Sequence, residues 1–172
     1  MKTANFFYTL FLFALIFILP SCHRKLVPTS SSPARSNSNS NDEGSSITNM
    51  QDGILFYVNK HRTAIGLPEL KMLNIASVEA AKHSANMAAR RTPFGHTGFE
   101  SRVAAISKSI GTVSAAAENV ADGQLTAKEV VDGWLASAGH KKNIEGNYTL
   151  TGIGLAKDAG GNIFFTQIFL HK

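Results

Sequence analysis

The last strand of the chain places the strongest constraint on the fold, because it is apolar on both of its faces. It reads "NIFFTQIFL" (162–170) and follows "LTGIGLA" (150–156), with the glycine-containing turn "KDAGG" (157–161) between them. This pattern predicts a β-hairpin. Successive side chains of a strand point to opposite faces of the sheet, so this strand needs a layer of structure above it and another below it.

Helical patterns in the first half of the chain are suited to form those layers. The pair Thr48 and Gln51 reads as a capping box that opens a first helix, and Gly66 is placed to end it. A second helix is predicted over 74–90. We interpret His83, within its apolar stripe, as a core-facing histidine with hydrogen-bonded ring nitrogens; a ligand role is the alternative. The other apolar positions are Met50, Ile54, Leu55 and Val58 in the first helix and Leu73, Ala76, Ala80 and Met87 in the second.

A second capping box, at Thr126 and Glu129, predicts a helix later in the chain. It carries Trp134, which we expect in the core, and Gly139 is placed to end it in the left-handed conformation. Two shorter elements are predicted before it, a helix at 103–111 and a strand or extended turn at 114–123. The fold class is therefore α+β: a three-layer α-β-α sandwich with a small antiparallel sheet ending in the C-terminal hairpin.

The N-terminal residues 1–21 are predicted to be a signal peptide. Lys2 supplies a positive charge, and the apolar run "FFYTLFLFALIFIL" (6–19) is shorter than a bilayer span requires. The run closes in "LPSC", which resembles the lipobox of bacterial lipoproteins and implies that Cys22 is acylated and anchored to a membrane. Cys22 is the single cysteine, so an internal disulfide is excluded. A transmembrane helix and a secreted protein without an anchor are the alternatives.

Residues 22–47 are predicted to be a flexible tether. They are rich in serine and asparagine and offer too little apolar surface to offset the entropy of ordering. The folded domain is then expected to be 48–172. The net charge is +5, but the basic residues are scattered and form no stripe with aromatic residues, so nucleic acid is not an expected partner.

Seven motifs in a fixed order give the chain a resemblance to a known family. They are "VNKHRTAIGLPEL", "EAAKHSANMA", "FGHTGF", "AENVADG", "VVDGWLASAGHKKNI", "TGIGLA" and "FFTQIFL". Together they resemble the CAP superfamily (cysteine-rich secretory proteins, antigen 5 and pathogenesis-related proteins; also called the SCP domain). The resemblance covers Met50–Phe169 and is strongest to the bacterial branch of exported proteins. It implies an α-β-α sandwich, in agreement with the layers predicted above.

The resemblance also implies a cleft lined by histidines and acidic residues. Its two histidines match His96 of "FGHTGF" and His140 of "SAGHKKNI", and its first acid matches Glu118 of "AENVA". Ser137 stands where eukaryotic members have a second acid, and would be a poor metal ligand. No cofactor is required by the sequence, but two imidazoles and one carboxylate form a reasonable ligand set for a divalent metal such as zinc.

Each of these residues also has a structural interpretation. His140 follows a predicted helix end, where a protonated imidazole interacts favourably with the helix dipole. Glu118 would accept hydrogen bonds from nearby backbone N–H groups, and His96 would be a solvated loop residue. Asn119 and Asn143 are expected to fix loops.

Three classes of function stay open. The first is binding: an exported, lipid-anchored protein of the cell envelope, facing the periplasm or the exterior, whose cleft holds a divalent metal, a small molecule, a lipid or an envelope component. The second is a metal-assisted hydrolase or protease in which Glu118 acts with His96 or His140 on a water molecule. The third is an envelope domain without a ligand. No catalytic residue is assigned, because the chain has no G-x-S-x-G or H-E-x-x-H motif.

Overall fold

A computed structural model describes the backbone of residues 40–172, with side chains from residue 46 onward. The predicted signal peptide, Cys22 and the tether up to residue 39 lie outside the described residues. The elements in chain order are α1 (Ser40–Ala64), β1 (Lys71–Met72), α2 (Asn74–Ala88), α3 (Phe99–Ile110), β2 (Ala115–Asp122), α4 (Ala127–Ala136), α5 (Ala138–Ile144), β3 (Leu150–Lys157) and β4 (Ile163–His171).

The strands form one four-stranded sheet in the order β1-β3-β4-β2. The predicted hairpin is confirmed as β3 and β4, which pair antiparallel from Leu150↔Leu170 to Lys157↔Ile163. The two-residue β1 adds a parallel pair to β3, so the sheet is antiparallel except at this edge. At the other edge, β2 pairs antiparallel with β4 along its whole length.

Helices cover both faces of the sheet, which confirms the predicted three-layer sandwich. On one face, α1, α4 and α5 pack on the strands through a cluster that includes Ile54, Trp134, Ile144, Phe165 and Phe169. On the other face, α2 and α3 pack through Ala76, Ala80, Ile106, Ile168 and Leu170. The strand β4 therefore buries side chains on both faces, as its sequence requires.

The small residues of α2 and β3 let this helix lie close to the sheet. A Cβ atom added at Gly152 would meet the backbone of Ala76, and one added at Gly154 would meet the backbone nitrogen of Ala81. The glycines of the "TGIGLA" motif are thus explained by close packing rather than by a turn.

The first helix begins earlier than its capping box predicts. It starts at Ser40, so Thr48 lies inside it, and residues 40–47 of the predicted tether are helical. Packing supports the helix from Ile47 onward, because Ile47 and Met50 continue the apolar stripe and contact the same core cluster as Ile54. The predicted end is confirmed, since α1 stops at Ala64 and Gly66 follows with φ of 82°. None of the helices within 40–172 has the combination of length and apolar character that crossing a membrane requires.

The capping box of α4 is confirmed, but its predicted end is wrong. The Thr126 side chain accepts from the Glu129 backbone and the Glu129 side chain accepts from the Thr126 backbone. The helix then ends because Ser137 is extended, with φ of −100° and ψ of 119°. Gly139 is helical and belongs to α5, which turns the chain so that Ile144 is fully buried in the core.

Candidate functional site

The candidate site lies at β2, the edge strand next to β4. Glu118 pairs with Ile168, whose side chain belongs to the α2 and α3 face, so the Glu118 carboxylate is on that face. The next residue, Asn119, pairs with Gln167 and points to the opposite face, where α5 lies. Two consecutive residues of one strand therefore reach both sides of the sheet edge.

Glu118 is the centre of a cluster, here called the Glu118 cluster, that also contains His83, His96 and Arg102. Arg102 donates from Nε to Oε2 over 2.9 Å and from Nη2 to Oε1 over 2.8 Å. His96 contacts the same Oε1 through Nδ1 at 2.9 Å. His83 Nε2 lies 4.0 Å from Oε1. Only 2% of the Glu118 side chain is exposed, compared with 52% of His96.

The cluster also fixes the loop that carries His96. His83 contacts the carbonyl oxygen of Gly95 through Nε2 at 2.7 Å, and a carbonyl accepts, so this nitrogen carries the hydrogen. Arg102 donates to the carbonyl of Thr97 over 2.8 Å and reaches that of His96 at 3.5 Å. Three successive carbonyl groups are thus held by buried side chains, which gives His96 a defined position although it is exposed.

His83 is buried, with 2% of its surface accessible, which confirms the core-facing interpretation. Its pKa is lowered, chiefly by burial and further by the positive charge of Arg102, while its bond to Gly95 and the charge of Glu118 oppose the shift. His83 therefore forms the inner wall of the cluster, in contact with the loop backbone.

His140 lies in the first turn of α5 and not beyond a helix end. The proposed favourable interaction with a helix C-terminus is therefore wrong, because the α4 helix ends at Ala136 and a new helix begins before His140. Burial lowers the pKa of His140, and the positive charge of His96 lowers it further. The two imidazoles are therefore close enough for the charge of one to affect the other.

Two asparagines join α5 to the strand that carries Glu118. Asn119 donates from Nδ2 to the carbonyl of His140 over 3.1 Å. Asn143 donates from Nδ2 to the carbonyl of Glu118 over 3.1 Å and to Oδ1 of Asn119 over 2.9 Å. These bonds fix the backbone of His140 relative to Glu118, the kind of role expected of Asn119 and Asn143.

Ser137 separates α4 from α5. Its side chain makes no capping hydrogen bond to α5, and its carbonyl accepts from the backbone nitrogen of Lys141 over 2.8 Å. Ser137 thus directly precedes the helix that carries His140, and what it contributes in the structure is the backbone bend.

The set His96, Glu118 and His140 does not fit a metal ion in this arrangement. Within residues 40–172, no group of three or more His, Cys, Asp or Glu side chains is placed to hold a metal. In addition, the Glu118 carboxylate is hydrogen-bonded by the guanidinium of Arg102 through both oxygens, which opposes a second cation there. We therefore derive no chemistry from a metal at this site.

Arg102 is the residue of the cluster that sequence reasoning missed. A signal was present, because Phe99, Arg102, Ile106 and Ile110 follow steps of three and four residues along α3. A charged residue within an apolar helical stripe indicates a buried partner of opposite charge.

The family of the chain is established by its sequence. The model of the family described as "CAP: Cysteine-rich secretory protein family" matches residues 55–169. The chain therefore belongs to this family. It is 32% identical over 135 residues to the uncharacterized protein YkwD of Bacillus subtilis, an alignment that covers 74% of this chain and 49% of that protein. The chain thus spans about half the length of this curated relative.

Two solved structures with the same fold come from bacteria. An extracellular protein with an SCP domain from Bacillus anthracis matches with a TM-score of 0.64 and 24% identity, over 83% of this chain and 45% of that one. An outer surface protein of Borrelia burgdorferi matches with a TM-score of 0.61 and 19% identity, over 72% of this chain and 93% of that one. At these identities the likeness concerns the fold.

Proposed function

We propose that this chain is an exported, lipid-anchored CAP-domain protein of the cell envelope whose site at His96, Glu118 and His140 binds a ligand. The location is supported by the lipobox-like residues around Cys22 and by the descriptions of the two structural relatives as extracellular and outer surface proteins. The ligand is a small molecule, a lipid headgroup or an envelope component with a polar group that meets the two imidazoles.

The observation that carries the binding proposal is the support given to an exposed histidine. Half of the His96 side chain is accessible, yet it is held by a carboxylate that is itself buried against Arg102. A buried ion pair is a poor way to stabilise a fold, since apolar residues of the same volume do as well or better. Such a pair is well suited to hold a surface side chain in one geometry for contact with a ligand.

The tautomer of His96 defines what it offers. Because a carboxylate accepts, Nδ1 carries the hydrogen that faces Glu118, and in the neutral ring Nε2 is then a hydrogen-bond acceptor. A hydrolase in which Glu118 activates water needs a free carboxylate oxygen. Arg102 and His96 already occupy both oxygens, so binding is the better supported function.

The binding proposal is tested by NMR on the full-length chain in detergent, with isotope-labelled histidine. The probes are soluble muropeptides from digested peptidoglycan and, separately, short-chain phosphatidylglycerol. We expect one probe to shift the ring signals of His96 and His140, and His96→Asn to weaken binding at least about tenfold. His61→Asn, on the α1 side of the molecule, is the control and should leave binding unchanged. Signals of His96 and His140 that respond to neither probe would leave the structural envelope domain as the better interpretation.

A further inference from the structure

The oxygen of Glu118 that faces His96, Oε1, has no lone pair left for a metal. Its Oε1 accepts from His96 Nδ1 at 2.9 Å and from Arg102 Nη2 at 2.8 Å, and its Oε2 accepts from Arg102 Nε at 2.9 Å. A carboxylate oxygen offers two acceptor positions, so Oε1 is fully used. With 2% of the side chain exposed, a rearrangement toward solvent is blocked by packing.

The spacing of the cluster is nevertheless close to that of a metal site. Two ligands of one tetrahedral zinc ion, each about 2.0 Å from it, lie about 3.3 Å apart. His96 Nδ1 and Glu118 Oε1 are separated by 2.9 Å, so a small adjustment would suffice. The obstacle is therefore the positive charge of Arg102 and its hydrogen bonds, not the distance between the two potential ligands.

Arg102 is held in a position where its positive charge repels a metal ion at Glu118. A guanidinium stays protonated in proteins, so its charge is permanent. It is also held at its far side by the carbonyl of Thr97 at 2.8 Å, and its side chain is only 10% exposed. A divalent ion on Oε1 would have to displace a cation that is already paired bidentately with the same carboxylate.

We propose that Arg102 is the built-in cation of this site, that it takes the place of a divalent metal at Glu118, and that it masks a latent metal site formed by His96 and Glu118. The wild-type protein then binds its ligand without a metal. This inference concerns the same site as the proposed function, but it is tested with zinc alone.

The test is a zinc titration by calorimetry of the full-length, untagged chain in detergent at about pH 7.5, where a histidine with a pKa near 6.5 is neutral. Every variant also carries Cys22→Ser, so that the thiol does not bind zinc. We expect Arg102→Gln to bind one zinc ion at least about tenfold more tightly than the parent chain, a change typical of one altered partner in a metal site. Arg102→Lys keeps the charge and should show no gain. Zinc bound at other histidines, such as His61, is common to all variants and cancels in the comparison.

The double variant Arg102→Gln with Glu118→Gln should lose the gain, because it removes the ligand that Arg102 masks. An Arg102→Gln chain that folds and binds zinc no better than the parent chain would overturn the proposal. If the Arg102→Gln chain does not fold, as judged by circular dichroism, zinc binding is compared between the parent chain and its His96→Asn variant instead. Zinc binding of the parent chain that is lost in His96→Asn overturns the proposal, and equal binding by the two supports it. Ligand binding in the NMR experiment is a separate readout, so either proposal can fail alone.

Discussion

The indole nitrogen of Trp134 donates a hydrogen bond of 3.1 Å to the backbone carbonyl of Val120. Val120 lies on β2, the edge strand, and Asn143 donates to the carbonyl of Glu118 on the same strand. Side chains of α4 and α5 thus occupy carbonyl groups of a strand that has a neighbour on one side only. This protects the edge against pairing with another chain.

Trp134 should stabilise the fold through both its volume and this hydrogen bond. Only 1% of its surface is accessible, so Trp134→Ala should lower the free energy of unfolding by about 3–5 kcal/mol. Trp134→Phe keeps most of the ring but leaves the Val120 carbonyl unpaired, and should cost about 1–3 kcal/mol. Urea denaturation measures both. Phe56→Ala, at a ring that is 60% exposed, is the control and should change stability by less than about 0.5 kcal/mol. An alanine variant with unchanged stability would contradict the buried position of Trp134.

Two glycine substitutions should have opposite effects. Gly154→Ala forces a methyl group into the backbone of α2 and should destabilise the protein by at least about 1–3 kcal/mol. Gly133→Ala places the methyl group in open space within α4, where alanine is the better helix former, and should stabilise by up to about 1 kcal/mol. Melting temperatures of the two variants give the signs directly. Equal effects would show that β3 and α2 are not in close contact.

Arg62 holds the end of α5 and the segment that follows it. It is completely buried and donates to four carbonyl groups, those of Pro68, Ile144, Gly146 and Tyr148. Arg62→Ala leaves these acceptors without a partner and should cost about 3–5 kcal/mol. Arg62→Lys has three donors in a different geometry and should restore part of this loss.

Urea denaturation measures the cost, and hydrogen exchange should show faster opening over 144–148 in Arg62→Ala. The exposed Arg91→Ala is the matched control, with an expected change within about 0.5 kcal/mol. An Arg62→Ala protein as stable as the Arg91→Ala protein would mean that water replaces the guanidinium without cost.

The fold was predictable because its signals are local and repeated. The apolar stripe of α2, the capping box at Thr126 and Glu129, and the hairpin all appear as short-range patterns. The early start of α1 at Ser40 was not predicted, because the serine- and asparagine-rich sequence before Ile47 favours a tether and the contacts of Ile47 with the core are not local. No glycine or proline marks the bend at Ser137. Gly139 was predicted to end α4, but in the structure it lies inside α5.

The motifs supplied the residues of the candidate site as a prediction, but they did not supply the contacts among those residues. Motifs pointed to His96, Glu118 and His140, and the structure brings His96 and Glu118 into direct contact. The partner that decides the chemistry, Arg102, follows His96 by six residues but belongs to none of the motifs, and only tertiary pairing shows that its partner is Glu118. A ligand set read from residue types alone omits such counter-ions.

The membrane anchor is tested at Cys22. If this residue is acylated, Cys22→Ala should release the protein from membranes or leave it as unprocessed precursor, because the acyl chains that hold it in the bilayer are missing. Metabolic labelling with a palmitate analogue, followed by membrane fractionation, measures both. Ser21→Ala, which keeps the cysteine and a small residue before it, is the control and should be labelled normally. A wild-type chain that takes up no label would contradict lipidation.

Acid should weaken the fold through His140 and His83, whose pKa values are both lowered by burial in the folded state. The unfolded chain has histidine pKa values near 6.5, so it binds more protons than the folded chain between that value and the lowered ones. The stabilisation is therefore fully present above about pH 6.5 and is lost as the pH falls through the interval below it.

His140→Gln should reduce this loss, measured as the change in free energy of unfolding between about pH 7.5 and 5.5. Lys142→Gln removes a charge from the same helix but no imidazole, and should leave the slope unchanged. A second measurement isolates the link between the two site histidines: since the charge of His96 lowers the pKa of His140, the NMR titration of His140 should move to a higher pKa in His96→Asn. A His140 titration identical in the two proteins would mean that the charge of His96 does not act on His140.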